Sequence, residues 1–152
     1  MIRSAILLVL LASLGGCGSG RPGTATKYRP AALFGGYKQS EIEPGIWKVS
    51  ARSNGIAEPG FSQNMAVYRA AEILQGAGFS HMQVLDQRGK VGMFGVNGPP
   101  TNRGGEDFMV IVRGAGNGVA PQDCRAKRAD SCFTWEIAPV MARVRPLLHI
   151  DE

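Results

Sequence analysis

IWKVSARS, residues 46–53, alternates apolar and polar side chains without a break. Trp47, Val49 and Ala51 fall on one side, and Lys48, Ser50 and Arg52 on the other. A period of two over this length predicts a β-strand with one face against a core. Glu43-Pro44-Gly45 before it and Asn54-Gly55 after it are turn residues that bound it. The period then changes. From Ser62 to Gln75, Val67, Ala70, Ala71 and Leu74 recur at helical spacing, with Met65, Tyr68 and Ile73 widening the stripe. Ser62 is the expected N-cap, Gly76 or Gly78 the expected stop, and Arg69 and Glu72 can pair three residues apart.

Phe79 to Leu85 reads as a second strand and Asp107 to Arg113 as a third. The continuous apolar run of the third predicts burial on both faces. Residues 86–106 are a glycine- and proline-containing connection, either a hairpin around Met93-Phe94 or a loop. Phe133, Trp135 and Ile137 alternate as a fourth strand. Pro139 suits the first turn of a short helix with Val140, Val144 and Leu147 inward, and Pro146 stops or kinks it. The expected fold is therefore α+β: a small sheet of about four strands in the order β-α-β-β-β-α, one face covered by one or two helices.

The N-terminus is of another kind. After Arg3, residues 4–14 (SAILLVLLASL) carry no charge. As a helix they span roughly 15 Å, about half a bilayer's hydrocarbon core, which fits the apolar region of a secretory signal. Leu14-Gly15-Gly16-Cys17 resembles the lipobox of bacterial lipoproteins. The resemblance implies diacylglyceryl transfer to the sulfur of Cys17, cleavage before it and acylation of the new amine. One acyl chain holds a protein only reversibly, at about 0.8 kcal/mol per buried methylene; two or three hold it durably. Gly18 after the cysteine, in place of aspartate, implies the outer membrane. The expected organisation is a signal peptide over 1–16, the lipidated Cys17 with a flexible Gly/Pro/Ala/Thr-rich tether over 17–33, and a single α+β periplasmic domain over 34–152. Fully extended, that tether reaches about 50 Å.

Composition suits one small domain: 152 residues with a formal charge of +5, of which the signal removes Arg3. A basic balance in an intracellular chain would suggest nucleic acid, but an exported one does not meet it, so none is expected. With Cys17 taken by lipid, Cys124 and Cys132 remain, and an even number in an oxidising compartment predicts a disulfide. Its ring of nine residues contributes about 2.5 kcal/mol in the chain-entropy model. A Cys-x7-Cys pair far from His81 and His149 does not fit zinc, and no metal or other cofactor is expected. Arg125, Lys127 and Arg128 in the disulfide loop, together with Arg52, are the expected contacts for an anionic partner.

Chemistry-bearing motifs fail on inspection. Residues 114–118 (GAGNG) approach a dinucleotide fingerprint, but Val119 stands where its third glycine belongs and no helix opens after it. Gly89-Lys90-Val91 lacks the rest of a phosphate loop. Ser80 precedes His81, and neighbouring strand residues point to opposite faces, so activation of that serine is not expected. Glu41, Glu43, Glu72 and Glu136 form no distinctive carboxylate pair.

GGYKQSEIEPGIWKVSARSNG, followed by YRAAEILQGAGFSHMQVLD, resembles a family of small uncharacterised proteobacterial lipoproteins. Gly36, Tyr37, Trp47, Val49, Arg52, Asn54, Gly55, Arg69, Ala70, Ala71, Glu72, Gly78 and Phe79 carry the match over about residues 35–86. Gln39, in place of an acid, and Ala57, in place of threonine, depart from it. The resemblance implies an address and a fold but no activity. The Arg-Ala pair is also similar to the helix of porin-associated peptidoglycan-binding domains, without their aspartate loop. The expected protein is a lipoprotein on the periplasmic face of the outer membrane with a non-catalytic binding or structural role. Its expected partners are membrane lipid, through acylated Cys17, and envelope proteins or cell-wall polymer; a small periplasmic hydrolase or a glycan-binding module is the alternative.

Overall fold

A computed structural model describes residues 25–33, 35–94, 102–121, 123–128 and 131–150. The expected signal peptide and Cys17 lie outside these residues. The IWKVSARS strand (β2, Ile46–Ser53) sits second in a five-stranded antiparallel sheet. Its neighbours are β1 (Gly36–Glu43) at the edge and β4 (Asn102–Ala115) inside. Beyond β4 come β3 (His81–Phe94) and the short β5 (Phe133–Glu136). Helix α1 (Phe61–Gly76) follows β2, and α2 (Ile137–Val144) follows β5 and runs into a 3-10 turn, Arg145–Leu148.

The class is α+β, as expected, but the element order is β-β-α-β-β-β-α, because β1 was not foreseen. It is an edge strand, exposed along nearly its whole length, so no burial pattern marks it. The Pro44-Gly45 turn folds it back onto β2, with Tyr37 opposite Ala51 and Gln39 opposite Val49. The 86–106 connection is a hairpin: β3 and β4 stay paired from His81↔Ala115 out to Phe94↔Asn102. Two register shifts, at Val84/Asp86 and Val91/Met93, break the alternation that would have signalled strand.

Both helices lie on one face. Val49 and Ala51 from β2, Val110 and Val112 from β4, and Met82 and Val84 from β3 meet Met65, Ala66, Ala70, Ala71 and Leu74 of α1. Each fully buried Val, Leu or Met contributes about 1.5–3 kcal/mol, and the buried alanines let the helix lie close to the strands. The expected stripe is observed, with Ile73 only half-buried and Phe61 and Ala66 added to it. Its cap is not. Ser62 lies within the helix and is buried, while Gly60 at the N-cap takes φ +80 and makes no side-chain cap bond. The carboxylate of Glu106, from β4, instead accepts from the Gly60 N–H at 2.9 Å and from the Ser62 hydroxyl at 3.4 Å. A negative charge there opposes the positive end of the helix dipole. Arg69 and Glu72 do pair, at 2.9 Å. The switch to a 3-10 turn rotates the final residues, so Leu148 is buried and the expected Leu147 is exposed.

β4 is central in order but is not buried on both faces. Val110 and Val112 face the helices, whereas Met109 and Ile111 remain half-buried on the other side.

Residues 26–32, expected to belong to a flexible tether, are packed on the domain. Thr26 is buried, its amide donating to Asn54 Oδ1 at 3.3 Å while its hydroxyl accepts from the Asn54 amide at 2.9 Å. Tyr28 packs between Tyr37 and Tyr68, with ring centroids 5.1 and 5.4 Å away, and its phenol donates to Glu72. Backbone bonds between Ala31 and Tyr37 and between Ala32 and Gly35 close the segment onto β1.

Two predictions follow from this packing. A Cβ on Gly105 would lie 2.2 Å from the Ser53 carbonyl oxygen. Gly105→Ala should therefore destabilise the domain by about 1–3 kcal/mol, seen as a lowered melting temperature. Burial, and then the bond to Glu72, raise the ionisation of Tyr28 above the ordinary tyrosine range. The folded state holds Tyr28 protonated, so its contribution is complete below pH about 10 and declines as pH rises beyond it. Urea titrations across this range should show that fall in the wild type and a weaker one in Tyr28→Phe.

Candidate cationic sheet face

The face of the sheet turned away from the helices divides into two halves. One half is roofed by the described residues of 116–121, 123–128 and 131–132. Here the Gln83 side-chain amide donates to the carbonyl oxygens of Ala120 and Val119, at 2.9 and 3.3 Å. Arg113 pairs with Asp123 at 3.0 Å. The extra residue in β3, Leu85, offers its carbonyl to the amides of Arg125 and Ala126, at 2.8 and 3.1 Å. Cys124 and Cys132 stand at disulfide distance, as expected, with their Cα atoms 5.8 Å apart. Arg125 reaches across to Glu43 at 2.7 Å, and that hydrogen bond holds the Glu43 carboxyl below the ordinary glutamate range. Ile46 and Leu85 are buried beneath this roof, outside the main core cluster.

The other half is open. Lys38 from β1, Lys48 and Arg52 from β2, and Arg88 and Lys90 from β3 surround a depression of about 630 Å³, with Asp107 of β4 among them. Register explains the gathering. Lys38 is paired with Ser50, Arg52 with Asp107, Arg88 with Met109 and Lys90 with Asp107, so all these side chains emerge on the face the core does not use. Arg52 bonds Asp107 at 2.8 Å, and Arg88 bonds Asp86 at 2.9 Å. Arg52 and Asp107 are largely exposed, so their attraction is screened and contributes little to stability. Lys38, Lys48 and Lys90 make no ion pair with any described residue.

The four cations expected to meet an anionic partner do not form one patch. Arg52 belongs to the open half. Arg125, with the exposed Lys127 and Arg128, lies beside Glu43, at the other end of β2, roughly 20 Å away by strand rise. Half-buried and paired, Arg125 pins the roof. Lys38, Arg88 and Lys90 were missed because each comes from a segment not recognised as strand, and only strand pairing puts them beside Lys48 and Arg52.

Ser80 and His81 also differ from expectation. Ser80 precedes β3, where strict alternation does not hold, and its hydroxyl lies 2.9 Å from His81 Nδ1. Glu136 faces His81 across the β3–β5 pair. No described hydrogen bond or ion pair joins the two, so nothing orients the imidazole as a base. No group of three or more metal-ligating side chains occurs among the described residues, and no described helix is long and apolar enough to cross a membrane. Comparison with protein-family models, with curated proteins and with solved structures returns no match.

An active-serine probe such as a fluorophosphonate should leave Ser80 unmodified, as read by peptide mass spectrometry. Rapid stoichiometric labelling of Ser80 would instead mark it as a nucleophile.

Proposed function

We propose that this chain is an envelope lipoprotein, held by acylated Cys17 on the periplasmic face of the outer membrane, that binds an anionic envelope component without catalysing a reaction. The observation that carries the binding role is the open half of the sheet: five cations from three strands around one depression, three of them with no ion-pair partner among the described residues. A surface that concentrates one sign of charge attracts anions and steers them inward. The anchor rests on the lipobox-like Leu14-Gly15-Gly16-Cys17 and the uncharged stretch before it. The Cys124–Cys132 pair is consistent with an oxidising compartment.

The anchor and the binding role are separable by experiment. Mass spectrometry of the mature wild-type N-terminus should find Cys17 bearing diacylglyceryl and acyl groups, and the protein should fractionate with outer membrane. Cys17→Ser should leave it in the soluble periplasmic fraction or retained uncut. A free thiol at Cys17 in mature protein defeats the anchor.

A further inference from the structure

The open half of the sheet, the point where the tether joins the domain and one exposed leucine lie together. Thr26, the first described residue bonded to the domain, pairs with Asn54, just past Arg52 at the end of β2. The chain leading from Thr26 into β1 then walls the cationic depression through Ala31, Ala32, Gly35 and the first β1 residue, Gly36. Leu33, next in the chain to the lining Ala32 and outside the lining itself, is at 90% exposure the most open large apolar side chain described.

We propose that this surface — Lys38, Lys48, Arg52, Arg88 and Lys90 with Leu33 at the rim — rests on the anionic lipid headgroups of the membrane that holds the chain. The proposal builds on the lipidated anchor proposed above and names the anionic component as phosphate-bearing lipid. Geometry favours lipid over a more distant polymer. Thr26 is nine residues after Cys17, so the domain's near end cannot stand more than about 30 Å from the acylated residue. The tether enters beside Arg52, and the cations face outward from that same end. Lysine and arginine near an anionic bilayer are attracted over a Debye length of about 10 Å at 0.1 M salt. A single leucine at the rim can enter the interface while the cations stay with phosphate, the division of labour seen in amphipathic surfaces that lie on membranes.

The experiment reconstitutes the purified, lipidated mature protein in vesicles of phosphatidylcholine alone, or of phosphatidylcholine with phosphatidylglycerol. Brief treatment with an amine-reactive acylating reagent is followed by peptide mass spectrometry. With phosphatidylglycerol at low salt, labelling of Lys38, Lys48 and Lys90 should fall about fivefold relative to phosphatidylcholine. The difference should vanish at about 1 M salt, where the Debye length is about 3 Å. In the Lys48→Glu, Lys90→Glu double variant, with folding checked by circular dichroism, Lys38 should label equally in both vesicles. Equal labelling of the wild type in both, or shielding by purified cell-wall sacculi and not by phosphatidylglycerol, overturns the proposal. Flotation separates the two readings. An anchored protein floats with phosphatidylcholine alone, whereas an unanchored one with an intact lipid-binding face floats only with phosphatidylglycerol.

Discussion

Eight consecutive residues of β2 pair with eight of β4, from Ile46↔Arg113 to Ser53↔Glu106, and that register determines both faces of the sheet. Val49 meets Val110 on the helix side, and on the opposite side Lys48 meets Ile111 and Arg52 meets Asp107. A slip of one residue would carry Lys48 and Arg52 under α1 and turn Val49 and Ala51 to water, so burial of one face enforces the register. The concentration of positive charge on the free face is thus a consequence of the same pairing that closes the core. A charged surface made this way sits on strands, and its side chains keep their spacing without help from loops.

The joining of residues 26–32 to the domain is the second constraint. Tyr28 spends its phenol on Glu72 and its ring on two other tyrosines, and Arg69 lies 5.1 Å above the Tyr37 ring. Helix α1, β1 and the incoming chain are thereby locked at one corner. What composition suggested was a loose leash to residue 33 is a structured approach from Thr26 onward. It fixes the end of the sheet at which the chain enters the domain.

Legibility followed burial. The IWKVSARS strand and the α1 stripe could be read because each has one buried face and one wet face, at periods of two and 3.6. The Cys124–Cys132 pairing was legible from parity and the expected compartment alone. β1 was not, since an exposed edge strand carries no apolar rhythm, and the outer half of the β3–β4 hairpin was hidden by its glycines and register shifts. Ser62 looked like a cap because of its position. Glu106 took that role from a strand 44 residues away, a partner no local pattern reveals. The cationic face was half visible: Lys48 and Arg52 were seen to share a side, but their neighbours depend on strand order.

β5 is only four residues long, so beyond its end the outer margin of β3, from Asp86 to Lys90, has no strand beside it among the described residues. Unsatisfied main-chain groups along such a margin invite another chain to zip onto it. Arg88 and Lys90 stand along it, and an identical neighbour brings the same two charges. Lysine on such a margin disfavours edge-to-edge pairing, so Lys90 of the open face also guards this edge of the sheet.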